Sequence, residues 1–351
     1  MPATSIHFNG SVNLSDGETV MREISRRVPR GVRRMTDGET GERGYWIRFQ
    51  VEKFGQMPEF ELAELRVAYG AGEDAPKMPV FRLAGGIDAM DIAWPNLGYA
   101  DAYTDSFEIY KRLQSEGVIP EGVRFQLQYP TPMASVADSF VPDSMAAVLA
   151  SYEAALFGDL DRALATIGHE RCAVQWDVAV EFGVLEGKMS TPATVGQLAG
   201  ALARCVDRVP AEVPGGLHLC YGDYGHQHFK QPESLALQVA VTNAVLAAAG
   251  RPLSFVSFTV PQGRGDAEYF KPLCDLVAGP ETELNFALVP YHPDEQAEGV
   301  TAAQKAHIDA ALGQTAAGLR EWGICTECGM GRVKREEVPV LLDLHRELLD
   351  R

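Results

Sequence analysis

The stretch GGLHLCYGDYGHQHF, Gly215–Phe229, is a short apolar run that ends in chemistry. His218 and Cys220 stand one residue apart where the run closes, and His226 and His228 repeat that spacing in the polar segment beyond. A short run that is apolar throughout fits a parallel strand buried on both faces. In a parallel barrel the reactive side chains gather at the C-terminal ends of such strands.

Working outward from this run, seven others share its character: Ile6–Val12, Val80–Ala84, Arg124–Tyr129, Cys172–Val178, Leu253–Val260, Glu283–Val289 and Gly323–Thr326. Between them lie longer Ala- and Leu-rich segments of helical period: Ser144–Ile167, Thr194–Val206, Ser234–Ala249, Thr301–Trp322 and Glu336–Leu349. Thr194 and Thr301 are suited to cap helix starts. About eight strands alternating with helices predict an α/β fold, a single (β/α)8 TIM barrel covering residues 1–351. A doubly wound sheet with an added domain is the alternative. Residues 30–80 break the repeat with DGETGERGYWIRFQVEKF and the Pro/Gly-rich AYGAGEDAPKMP. They read as a long insertion after the first strand, an excursion over the barrel mouth.

The 351 residues are 46% hydrophobic and 23% charged, ordinary for a globular chain that needs neither disulfide nor metal merely to fold. The net charge of −17 is repelled by phosphate backbones and by anionic membrane surfaces. The expected partner is therefore a small-molecule substrate rather than nucleic acid or membrane, and a homo-oligomer stays open. The N-terminal MPATSIHFNGS lacks a basic start followed by an apolar stretch, and no run approaches the roughly 18 apolar residues of a membrane span. A cytoplasmic location is expected, with Cys172, Cys205, Cys220, Cys274, Cys325 and Cys328 present as thiols or ligands. No P-loop and no GxGxxG after the first strand support a nucleotide cofactor.

Side chains at i and i+2 on a strand point to the same side, so His218 and Cys220 can offer an imidazole and a thiolate to one ion. Zinc takes both donors, at about 2.0–2.1 Å for nitrogen and about 2.3 Å for sulfur. Cys328, followed by Gly329 at the end of the last run, supplies a third ligand. Cys325 completes a CxxC with it, but a redox CxxC opens a helix early in a βαβ unit, not at the end of a barrel. Three protein ligands with one open position is the pattern of catalytic zinc.

GLHLCYGD followed much later by TECGMGR resembles the cobalamin-independent methionine synthase family. The resemblance implies zinc on the His-x-Cys of the fifth strand and the Cys-Gly of the last. Corrinoid-linked, coenzyme-M-dependent methyltransferases and epoxyalkane:coenzyme M transferases are similar, and the wider group includes uroporphyrinogen decarboxylase, which uses no metal. FNGSVNL resembles the family's Gly-Ser near the first strand. FQLQYPTPMA resembles its third-strand stretch, with Thr131-Pro132 where the family has Gly-Pro. The family's aspartate–glutamate–proline stretch appears as QWDVAVE, which keeps Asp177 alone, and Phe258 and Thr259 stand where its sixth-strand glutamate ligand would be. The resemblance spans one catalytic barrel.

Further candidates lie where the barrel mouth is expected. Asp37–Trp46 concentrates three acids, an arginine and two aromatics: Asp37 and Arg43 are candidates for proton transfer and anion clamping, Glu39 and Trp46 for substrate contact. A turn and helix cap accounts for the same stretch without function. Asp177 is placed to orient a ligand histidine or act on substrate, and His226 to shuttle protons. Glu181, Asp223, His228, Arg264, Tyr291 and His292 are candidates for substrate binding. The expected activity is zinc-dependent transfer of a methyl or other alkyl group to a thiol. A zinc-assisted lyase or hydrolase on a small, perhaps aromatic, carbonyl compound, a metal-free decarboxylase-like enzyme and a binding protein are the alternatives.

Overall fold

The computed structural model describes residues 3–67, 77–189, 192–222, 227–293 and 299–350. Among the described residues, ten strands run in chain order: β1 (Ser5–Ile6), β2 (Arg34–Met35), β3 (Phe60–Val67), β4 (Lys77–Leu83), β5 (Arg124–Pro130), β6 (Cys172–Val178), β7 (Gly215–Leu219), β8 (Phe255–Phe258), β9 (Glu283–Val289) and β10 (Gly323–Thr326). Eight form one parallel, curled, TIM-barrel-like sheet in the order β1-β10-β9-β8-β7-β6-β5-β2. A parallel bridge between Ile6 and Val32 brings the two ends of that order together.

Every residue of β6 is buried, and so is every residue of β7. Polarity still alternates within these buried runs. Val174, Trp176 and Val178 belong to the large apolar core, whereas Gln175 and Asp177 between them join a polar hydrogen-bonded network. Parallel register sets Asp177 beside His218, His218 beside Ser257, and Ser257 beside Asn285. A strand period of two thus separates an apolar layer under the helices from a polar layer on the other side.

The helices sit close to their expected places. Thr194 closes a capping box with Gln197 at the start of Val195–Arg208. Thr301 is not a cap: the helix is Val300–Leu312, Gly299 precedes it in a left-handed conformation, and it stops well short of Trp322.

The second strand of the parallel sheet is Arg34–Met35, not the run Val80–Ala84. Residues 77–83 instead pair antiparallel with β3 in a separate two-stranded sheet. The excursion therefore follows the second strand, and the stretch 30–80 contains a strand of the main sheet. The physical reason is that Arg34 is buried through an ion pair with Glu283, at 2.8 Å, on a strand 249 residues away. Local hydropathy carries no trace of such a partner. Among the described residues no helix is long and apolar enough to cross a membrane.

Candidate metal centre

His218 lies on β7, Cys220 just beyond its end, and Cys328 two residues past β10. Their ligand atoms all fall within 4.8 Å of one another. His218 and Cys220 are buried and Cys328 is half-buried. Cys325, on β10 itself, is outside the group; it is fully buried, and burial pushes its thiol pKa far up.

Several contacts hold the three donors. Nδ1 of His218 meets Oδ1 of Asp177 at 3.1 Å, and its Nε2 faces the carbonyl oxygen of Glu327 at 3.2 Å. The amide of Gly222 donates to Sγ of Cys220 at 3.3 Å. Asn9 donates to the carbonyl of Thr326 at 2.7 Å, tying the segment after β1 to the end of β10. Gly329 packs on Ser11 so closely that a Cβ there would stand 2.4 Å from the serine Oγ and 2.8 Å from its amide nitrogen. Only glycine lets the Cys328 loop approach in this way.

The donor set fits zinc. Asp177 occupies Nδ1 of the imidazole, which leaves the Nε2 lone pair against the Glu327 carbonyl, an acceptor facing an acceptor. A proton or a cation relieves that contact. Burial works against the imidazolium, but the Asp177 hydrogen bond, the neighbouring Cys328 and the Glu327 carbonyl outweigh it and raise the His218 pKa to about 9.

The three residues line a cavity of about 320 Å³ together with Glu39, Trp46, Asp177 and Phe229, and with Met78 and Pro79 of the hairpin. Glu39 and Trp46 have positive φ, 47° and 56°, and are the non-glycine residues with that backbone among those described. Two such residues in one decapeptide, both facing one cavity, mark a strained site of the kind that clusters at functional positions. The Glu39 carboxylate rests on Gly10, where a Cβ would lie 2.8 Å from Oε2. Burial, reinforced by the charge of Asp177, pushes its pKa up to about 8, so it is a neutral acid at pH 7.

Asp37 and Arg43 lie beneath this surface rather than in it. They form a buried ion pair, the Glu39 amide donates to Asp37 Oδ1 at 3.0 Å, and Arg43 stacks over Tyr103 at 4.7 Å. They hold the Glu39 backbone in place. Neither lines the cavity.

The remaining candidates divide. His228 bonds through Nε2 to the Glu327 carboxylate, which also accepts from the amide of Gln262 at 3.0 Å. Tyr291 donates to the carbonyl of Gly329 at 3.4 Å. Glu181 is buried away from the cavity, and burial raises its carboxyl to about 7. Arg264 pairs with Asp266 and His292 with Glu337, both outside the cavity lining. Asp223 and His226 lie outside the described residues. Sequence reading passed over Glu327, Gln175 and His7. Their one local signal is a polar residue at an alternate position of an apolar run, or next to a ligand cysteine.

No family profile and no curated protein sequence matches the chain. Among solved structures, a methyltransferase from Methanosarcina mazei aligns over 100% of this chain and 95% of its own, with TM-score 0.52 and 12% identity. The old yellow enzyme homologue from Zymomonas mobilis aligns over 72% of this chain and 80% of its own at TM-score 0.33 and 14% identity. A single-residue mutant of morphinone reductase in complex with tetrahydroNAD aligns over 95% of this chain and 92% of its own, at TM-score 0.36 and 14% identity. At these identities the first of the three supports the fold, and the other two add nothing to it.

Proposed function

We propose that the chain is a zinc-dependent methyl or alkyl transferase that activates a thiol acceptor. The observation that carries this reading is the convergence of His218, Cys220 and Cys328 within 4.8 Å on the wall of a cavity. The similarity to a methyltransferase along the full length of the chain accords with it. The curled sheet then forms a single catalytic (β/α)8 barrel over residues 1–351, with the β3–β4 hairpin over its mouth.

Zinc on these donors supplies a Lewis acid that lets a substrate thiol lose its proton near neutral pH. The chain's own residues do the rest. Asp177 holds the His218 imidazole by its Nδ1 proton. Apolar walls that include Trp46, Met78 and Phe229 exclude water from the nucleophile. Glu39, a neutral acid facing the same cavity, gives its proton to the leaving group as the alkyl carbon moves from donor to sulfur.

The cavity's apolar, aromatic walls also suit a small carbonyl compound, which favours a zinc-assisted lyase or hydrolase as the second reading. Elemental analysis of protein purified without added metal, followed by assays with methyl donors and thiols, tests both. The expected result is about one zinc per chain and transfer that requires the thiol. Turnover without any thiol acceptor rejects alkyl transfer in favour of the second reading, and a metal-free active protein rejects both.

A further inference from the structure

A continuous line of hydrogen bonds crosses the interior of the curled sheet, from the N-terminal ends of its strands to the candidate metal centre. Arg34 is paired with Glu283 at 2.8 Å beside a second cavity of about 520 Å³. Its Nε donates to Nδ1 of His7 at 3.3 Å. Nε2 of His7 meets Oε1 of Gln175 at 2.7 Å. Nε2 of Gln175 donates to the carbonyl of Asn9 at 3.1 Å and to Oδ1 of Asp177 at 2.8 Å. The same Oδ1 meets Nδ1 of His218 at 3.1 Å. His7 and Gln175 are fully buried, so both take their partners from the protein.

The direction of each bond follows from the first. A guanidinium has donors only. Nδ1 of His7 must therefore accept, which places the ring proton on Nε2. Gln175 then accepts at Oε1 and turns both amide hydrogens outward, one to Asn9 and one to Asp177. With an N–H already donated to it, Asp177 acts as an acceptor and takes the Nδ1 proton of His218. The imidazole is left with Nε2 bare. Burial, with Arg34 adding to it, depresses His7 to about 3, consistent with a neutral ring in this line.

We propose that His7 and Gln175 are positioning residues of the metal centre: acting through Asp177, they fix His218 in the Nδ1–H tautomer and aim Nε2 at the ion. The inference rests on the zinc reading above and extends it to two residues that do not line the metal-site cavity. Asp177 is the partner that ligating histidines usually have. What is specific here is that its own orientation is set by neutral side chains anchored on an ion pair at the opposite end of the strands.

The test measures zinc affinity by competition with a chromophoric chelator, at pH 8, in the full chain. Gln175→Glu keeps the shape and removes the N–H donors; His7→Leu removes the ring nitrogens; His7→Gln restores a donor toward Gln175. Losses of about ten-fold are expected for the first two, in the range seen for outer-shell partners of metal ligands. His7→Gln recovers most of the loss, and cobalt-substituted Gln175→Glu shows altered ligand-field bands. Folded variants with wild-type melting temperature and zinc affinity within two-fold of wild type overturn the inference and leave the metal reading standing. A wild-type chain that takes up no zinc removes the metal reading and the inference together. Should the variants fail to fold, long-range proton–nitrogen correlation on histidine-labelled, zinc-loaded wild-type protein decides: the line requires a proton on Nε2 of His7 and on Nδ1 of His218, and the opposite tautomer at His7 overturns it.

Discussion

His228 is bonded through Nε2 to the carboxylate of Glu327, the residue immediately before Cys328. The loop after β7, which follows two of the candidate ligands, is thereby tied to the loop that holds the third. Replacing His228 with Ala should lower zinc affinity several-fold by freeing Cys328. Global stability should fall by about 2–3 kcal/mol, because the buried Glu327 carboxylate loses a charge-assisted partner. Parallel chelator competition and thermal melts check this; a large loss of stability with unchanged zinc affinity would assign His228 to packing instead.

Gly329→Ala should be more damaging than its size suggests. The new methyl carbon would stand 2.4 Å from Ser11 Oγ and 2.8 Å from Ser11 N, the latter a backbone atom with little freedom to retreat. The loop must move and carry Cys328 with it. We expect a lower melting temperature and weaker zinc binding together. Cys328→Ser, by contrast, should lose zinc while melting near the apo wild-type temperature. Gly329→Ala that matches wild type in both measurements would refute the close-approach argument.

Glu39 sets a pH dependence with a definite sign. Its folded pKa is about 8, raised by burial and then by Asp177, against about 4.3 for an unfolded glutamate. Between those values the folded state holds the extra proton, so stability falls as pH rises from about 4.3 to 8 and then levels. Glu39→Gln mimics the neutral acid and carries no such term. The variant should gain on wild type across that window, the gap being near zero at pH 4 and full at pH 9, while turnover drops because the proton donor is gone. Denaturant melts across pH together with rate profiles decide the point: a gap of constant size at all pH values means Glu39 is not held as a neutral acid.

Glu283 behaves in the opposite sense. Burial alone would raise its carboxyl, but Arg34, hydrogen-bonded and close, lowers it to about 2. Its folded pKa is depressed, so its contribution is present above the unfolded value of about 4.3 and is lost as pH falls toward 2. Glu283→Gln should therefore be less stable than wild type at pH 6, with the difference shrinking on acidification. Acid unfolding monitored by circular dichroism provides the check.

How much of this was written in the chain locally depends on the range of the interactions. The runs that became β5 through β10 were legible because burial on both faces forces apolar residues into adjacent positions. The grouping of His218, Cys220 and Cys328 was legible because His-x-Cys and Cys-Gly sit where such runs end. β2 was not, since two residues carry no period and Arg34 becomes a core residue only through Glu283. Val80–Ala84 looked like a strand and largely is one, but its partner β3 is half exposed and mixes charged with apolar residues, so hydropathy gave no hint of the antiparallel pairing. Asp37 and Arg43 were legible as charges, yet a sequence does not show that two charges cancel each other below the cavity floor. His7 and Gln175 sat unremarked in apolar runs, because a neutral polar side chain shows its purpose only once its neighbours across the sheet are known.

The β3–β4 hairpin has its own backbone pairing, separate from the parallel sheet, yet Met78 and Pro79 from it share a wall with the three donors. On the proposed function, rewriting this one appendage would change what the cavity accepts without touching His218, Cys220 or Cys328, and a graft of a different hairpin onto this chassis would be a direct route to altered ligand preference.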